Sequence, residues 1–312
     1  MTYRNNYKVF IDGIMLYIVF IAFFMLSMNT NVDRGEYLKL SQSIYASRIE
    51  PLYHHMLYFF GLILTAEGAI LLSQLISLSL LLTVSKSQKL GWPSILIYSS
   101  VFGIFQYYFG TSIRMCFGCM LLLYLYITHP RLFLFLGWLV VLGVHMGLLI
   151  FYFFGVLRIV VLKNIIRRRV SILIGIIAFI VGINVGFLAV AIAEVIGISP
   201  WLIGYTQHRS GIENGFFSNN IVSSIILVII SYLYHRKFTW EAVAAIFVLS
   251  LCFSLMSPNL SKVLLPLQIL LFFDFIRFWR QLFSSAKELG YFIALVLNSV
   301  SILFGGTRWG VF

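Results

Sequence analysis

Charge is what this chain has least of. Only 10% of its 312 residues are Asp, Glu, Lys or Arg, against about 25% in a soluble domain. So little charge cannot clothe a water-facing surface, and no segment reads as a separate soluble domain. Cysteine is also scarce, with three in all. Cys116 and Cys119 have C-x-x-C spacing but lie inside an apolar run, and Cys252 is alone in another. With no His or Cys cluster beside them, they read as small buried residues rather than metal or redox ligands. The alternating segments of a transmembrane barrel are missing, and so is any internal repeat. A net charge of +12 does not point to nucleic acid, because no basic domain with interleaved aromatics carries it.

What the chain has instead is apolar length. Its composition is 61% hydrophobic, and runs long enough to span hydrocarbon, roughly 17–25 residues each, recur from end to end. The expected fold class is all-α: a polytopic integral membrane helical bundle of about 11 (10–12) transmembrane helices. Residues 1–312 form one transmembrane domain, with outer loops at 28–55 and 197–220. Expected spans are 9–27, 56–84, 93–109, 111–128, 171–195, 221–234, 240–256, 262–279 and a last one ending near 305. The first follows a basic lead-in, Arg4 and Lys8, and lacks a small-residue cleavage site, so it reads as a retained span. The second is longer than a bilayer needs and makes Glu67 an intramembrane acid.

The region 132–161 admits one long span or two short ones turning near His145. One span would put Lys163, Arg167, Arg168 and Arg169 outside. Two spans put this cluster in the cytoplasm, as the bias of Lys and Arg toward inner loops requires. With two spans, about fifteen of the 22 Lys and Arg lie inside and about seven outside. The outer set runs against the bias. Its members Arg114, Arg209 and Lys262 stand at or near the outer ends of spans far apart in sequence, where bundle packing can gather them.

The stretch from Gly110 to His145 organises this outer face. Two apolar runs flank a polar break at Thr128-His129-Pro130-Arg131, so a membrane hairpin returns His145 to the face where Arg114 began. Ionisable groups at a lipid boundary are costly and tend to be functional. Cations there suit an anion at headgroup level, such as a lipid pyrophosphate. Arginine offers a planar fork for two phosphate oxygens, and lysine a point charge. The same cations would stabilise a pyrophosphate leaving group, with no metal required. His145 titrates near neutrality by default and is a candidate base toward an attacking hydroxyl. Glu50, Asp33 and Glu213 are the other outer bases. Tyr37, Tyr53, Trp201 and Tyr205 offer faces for a sugar, and Gln207 and Asn214 offer hydrogen bonds. The plainer reading of such aromatics is an interfacial belt, and of Arg114 a snorkelling cation.

Three features resemble the EpsG/Wzy-type polysaccharide polymerases of bacterial envelopes. The first is Asp33…Tyr37…Tyr45…Glu50-Pro51-x-Tyr53. The second is Ser112-Ile113-Arg114 opening a span. The third is the Leu139–His145–Ile150 turn. They cover the first half of the chain. Ser261-Lys262, where many relatives have arginine, and Met115 after Arg114 depart from the pattern. The resemblance implies a GT-C-like bundle in the bacterial inner membrane, working at its periplasmic face without a cofactor. It would transfer a growing chain from undecaprenyl pyrophosphate to the next lipid-linked repeat unit. Arg114, with Arg209 or Lys262, would bind the donor pyrophosphate, and His145 or Glu50 would activate the acceptor. Asp33, Tyr37, Tyr53, Tyr205 and His208 would line the substrate path. A chain-length regulator and other assembly proteins would be partners, and nucleic acid would not. Three alternatives stay open. A flippase or other transporter would need charge at mid-span, for which Glu67 is the clearest group. An O-antigen ligase would be expected to carry a larger outer loop than 197–219. A polytopic acetyltransferase would place its histidine on the cytoplasmic side.

Overall fold

Short polar breaks punctuate the apolar sequence, and the helices begin and end at them. A computed structural model of the chain describes residues 34–42, 51–90, 113–160, 168–196, 219–255 and 263–282. Among the described residues all regular structure is helical, with no strand. In order these are α1 (Arg34–Gln42), α2 (Pro51–Ile63), α3 (Ala66–Ser87), α4 (Ile113–Thr128), α5 (Pro130–Gly143), a 3-10 turn (Met146–Leu148), α6 (Leu149–Val160), α7 (Arg168–Ile196), α8 (Asn219–His235), α9 (Trp240–Ser254) and α10 (Leu265–Leu282). Helices α3 to α10 answer to eight of the expected apolar segments. The segments 9–27, 93–109 and the last one lie outside the described residues. By length and composition alone, α3 and the stretch Arg169–Ala189 of α7 are long and apolar enough to cross a membrane, and five other apolar helices are shorter.

The run 56–84 is not one helix. It breaks at Leu64 and Thr65 into α2 and α3. Thr65 is extended and its side chain accepts a hydrogen bond from the Gly68 N–H, an N-cap that starts a new helix inside an apolar stretch. Glu67 therefore sits in the first turn of α3, exposed, where the helix dipole favours a carboxylate. Helix α2 folds back along α3, so that Tyr53 meets Ser73. Polar residues of α3 cost little in the interior because their hydroxyls bond back to their own helix. Ser73 donates to the Ile70 carbonyl and Ser77 to the Ser73 carbonyl, each at 2.8 Å.

The region 132–161 holds two helices, as the charge bias requires. Pro130 opens α5 at a position where a missing N–H does no harm. The chain turns at Val144 and His145 and returns as α6. The two pack antiparallel and close. A Cβ on Gly137 would stand 2.6 Å from the Tyr152 ring, and one on Gly155 2.6 Å from the Phe133 ring. The Tyr152 hydroxyl donates to the Leu134 carbonyl at 2.9 Å, tying the pair together.

Helix α4 is buried over most of its length, with Met115, Cys116, Cys119, Met120, Leu122 and Leu123 inside. It packs on α3 and α5, and the core continues through α10 by Leu267, Phe272 and Phe273. Among the described helices, α7 and α9 make the most extensive contact. Gly182 lies against Ser250, and Gly186 against Ser254, so small residues four apart on each helix bring the two backbones together. The other side of α7 is a continuous apolar surface that includes Leu173, Ile176, Ile180, Phe187 and Leu188.

These contacts fix the two ends of the bundle. At one end Gly118 of α4 faces Val144 and Leu148, and Gly147 faces Val263 just before α10. The starts of α4 and α10 and the α5–α6 turn therefore stand together. At the other end Arg158 pairs with Glu241 and with the Tyr126 hydroxyl. Asp274 accepts from Ser231 at 2.8 Å and pairs with His235 and Arg277, each at 3.1 Å. Arg277 reaches Gln88 at 2.7 Å. Gln88, Arg158, Lys237 and Arg277 are thus gathered at the end opposite Arg114, the grouping expected of inner loops.

Candidate functional site

The Arg114 end combines a cation with buried polar groups from four elements. Arg114 stands in the first turn of α4, and its Nε is buried. Tyr53 comes from the first turn of α2 and is fully enclosed. Its hydroxyl lies 3.3 Å from the Ser73 Oγ. Its ring packs against Phe117, one helical turn from Arg114, at 5.6 Å between centroids. Tyr37 of α1 closes the group, with its ring edge-on to Tyr53 at 6.4 Å. Burial raises the Tyr53 phenol well above its ordinary pKa. Tyr37 adds to that rise, and the nearby Arg114 charge opposes it. Tyr53 is thus a neutral hydroxyl near the Arg114 guanidinium.

His145 sits on the same end. With Gly118 against Val144, Arg114 and His145 are about one helical turn apart in level. The histidine has extended backbone geometry and caps the 3-10 turn that follows, its Nδ1 accepting from the Gly147 N–H at 3.0 Å. This contact selects a tautomer. A neutral imidazole whose Nδ1 accepts must carry its proton on Nε2. In this geometry the Nδ1 lone pair of His145 is committed to the backbone, and its proton stands on Nε2. Hydrogen-bond donation to an oxyanion suits that arrangement better than proton abstraction from a hydroxyl.

Of the residues expected from sequence, the structure brings together Arg114, His145, Tyr37 and Tyr53. Asp33, Glu50, Tyr205, His208, Arg209 and Lys262 lie outside the described residues. Val263, the neighbour of Lys262, is beside Gly147, so α10 begins at this end of the bundle. Sequence reasoning missed His54 and Gln74, both buried to about 1% exposure. Their signal was faint but present. Tyr53, His54 and Leu57 form the inward face of α2, and Ile70, Ser73, Gln74, Ser77, Leu78 and Leu81 that of α3, a helical spacing with polar residues inside it. The three cysteines are buried thiols without a disulfide.

Comparison of the chain with family models, with curated proteins and with solved structures finds no match.

Proposed function

We propose that this chain is a polytopic membrane glycosyltransferase that polymerises lipid-pyrophosphate-linked oligosaccharide repeat units at the outer face of a bacterial inner membrane. The observation that carries the reading is the convergence of Arg114, the His145 turn and the start of α10 at the end opposite the basic loops. Positive loops face the cytoplasm, which puts this convergence outside, where a lipid-linked oligosaccharide presents its pyrophosphate. Tyr37, Tyr53 and Arg114, which belong to the patterns that resemble EpsG/Wzy-type polymerases, stand at this same end.

In this reading the eight apolar helices α3 to α10 cross the bilayer, with further spans at 9–27, 93–109 and near the C-terminus. Arg114 pairs with donor pyrophosphate oxygens, and the His145 Nε2–H donates to the same group, so charge developing on the leaving pyrophosphate meets fixed donors. Arg209 and Lys262 supply further positive charge. Tyr37 and Tyr53 wall the path, and Asp33, Tyr205 and His208 line it. Glu50 is then the preferred candidate to accept the proton of the acceptor hydroxyl. No metal enters this scheme. A transporter reading would draw on a deep acid, for which Glu67, in the first turn of α3, is the clearest group.

The test is a surface-polysaccharide gel on a deletion strain complemented with wild type or with Arg114→Ala at matched membrane levels. The proposal expects single-repeat product from the deletion, a restored ladder with wild type, and no ladder with Arg114→Ala. A deletion strain with no surface repeat at all would move the protein to flipping or ligation. A normal ladder from Arg114→Ala would remove Arg114 from the site.

A further inference from the structure

The opposite end of the bundle holds a cavity of about 700 Å³, within the size range of small-molecule pockets, roughly 300–1,000 Å³. It is walled by the ends of α3, α4, α6 and α8, by the start of α9 and by α10. Two charged clusters line it. One is Arg158 with Glu241 and Tyr126, and the other is Asp274 with His235 and Arg277. Lys237 lies on the short link between His235 and Trp240, so the chain itself strings it between the two clusters. The lining thus carries three permanent cations, Arg158, Lys237 and Arg277, against two carboxylates, Glu241 and Asp274.

The arrangement of these charges matters more than their sum. The carboxylates are withdrawn into the wall, with side chains 15% exposed for Glu241 and 10% for Asp274. The cations stand in front of them, at 44% for Arg158 and 30% for Arg277, with His235 at 31%. Arg158 is held through Nη1 by Glu241 and the Tyr126 hydroxyl, and Arg277 through Nη1 by Asp274 and through Nη2 by the Gln88 side chain. Glu241 steadies Arg158, and Arg158 also lies over the Tyr126 ring at 5.4 Å. Asp274 orients Arg277. A guanidinium already anchored loses less side-chain freedom when it binds a second oxyanion. Lys237 has no ion-pair partner among the described residues, so the surplus charge is on the link between the clusters. Ile159, Leu270 and Phe273 add an apolar flank.

We infer that this cavity is a binding site for a phosphate-bearing anion, held by Arg158, Lys237 and Arg277, at the end opposite the proposed active site. A site of this kind between helix ends accepts either a phospholipid headgroup, whose acyl chains run along the bundle, or a free phosphate compound from solution. The shared chemistry is the phosphate. The inference stands on the cavity and its charges, and it does not depend on the polymerase reading.

The test uses the purified full chain in neutral detergent. Binding is measured by native mass spectrometry and by the shift in thermal unfolding. Three probes are titrated: dioleoyl phosphatidylglycerol, dioleoyl phosphatidylcholine and inorganic pyrophosphate. Saturable stabilisation by phosphatidylglycerol and not by phosphatidylcholine, uncompeted by pyrophosphate, assigns the site to an anionic lipid. Stabilisation by pyrophosphate that also displaces the lipid assigns it to a soluble phosphate compound. In either case Lys237→Gln weakens binding about fivefold, the loss of one charge contact near a membrane surface, and Lys237→Arg restores it. Lys237 is in a link rather than a helix, so both variants are expected to fold. Equal responses to all three probes, or binding unchanged in Lys237→Gln, would overturn the inference.

Discussion

Substituting alanine for Gly186 tests the packing of α7 on α9 through one atom. A Cβ at this position would overlap the Ser254 hydroxyl and stand 2.7 Å from its Cβ, and the next neighbour, Leu255 Cγ, is 3.6 Å away. The whole conflict is therefore with one small side chain. Ser254 cannot turn aside without cost, because its hydroxyl donates to the Leu251 carbonyl at 3.0 Å. Overpacking of this kind costs about 1–3 kcal/mol, offset by about 1 kcal/mol from the better helix propensity of alanine. Gly186→Ala is expected to destabilise by about 1–2 kcal/mol on balance. Removing Ser254 to glycine clears the overlap, so the double variant should recover most of the loss, with a coupling of about 1–2 kcal/mol. Gly182 provides the contrast. A Cβ there would overlap the Ser250 hydroxyl but also stand 2.7 Å from the Phe247 carbonyl oxygen, which is backbone. Gly182→Ala with Ser250→Gly should not recover. The assay is equilibrium unfolding in mixed micelles followed by circular dichroism, for the four single and two double variants. Recovery at both positions, or at neither, would refute the claim that these two contacts decide how closely the helices approach.

Three further outcomes follow from the same structure. Tyr53→Phe, which removes only the hydroxyl beside Ser73, should cost about 1 kcal/mol. Tyr53→Ala empties a fully enclosed site and should cost about 3–5 kcal/mol by the same unfolding assay. A double-mutant cycle on Arg158→Gln and Glu241→Gln should give a coupling of about 1 kcal/mol, small because Arg158 is nearly half exposed. A coupling near zero would mean that the Tyr126 contact alone holds the arginine. Lys89 follows α3 with φ of 58°, a conformation that costs a side-chain-bearing residue about 1 kcal/mol or more. Lys89→Gly should raise the unfolding midpoint, and a lowered midpoint would show that the lysine side chain outweighs its backbone strain.

How much of this was legible in the sequence depends on the distance over which the information acts. Helices α7, α8 and α9 lie close to the expected 171–195, 221–234 and 240–256 because apolar run length is a local property. The turn at His145 was legible for a different reason. Choosing one helix or two for 132–161 changes the side of every later loop, so the bias of Lys and Arg could weigh all of them at once. The break at Thr65 is local too, but its neighbours Leu64 and Ala66 are apolar, so hydropathy runs straight through the cap. A hydropathy reading does not see a single hydroxyl bonded to a backbone N–H. The candidate site was legible at Arg114, His145, Tyr37 and Tyr53, where polar groups stand at the ends of apolar runs. It was not legible at His54 and Gln74, whose burial depends on α2 folding back along α3.

For the described residues, the sequence by itself determined an all-helical structure and the limits of most helices, because length, capping and alternation are properties of neighbouring residues. Tertiary structure alone decided the partners. Helical periodicity says which face of a helix turns inward but not which helix it meets. Nothing near residue 241 announces that Glu241 will hold Arg158, or that Asp274 will gather His235, Arg277 and Ser231. The same holds for His145. Its place in a turn could be read from the sequence, but which ring nitrogen faces the backbone, and so whether it offers a proton or accepts one, rests on a 3.0 Å contact that only the folded chain makes.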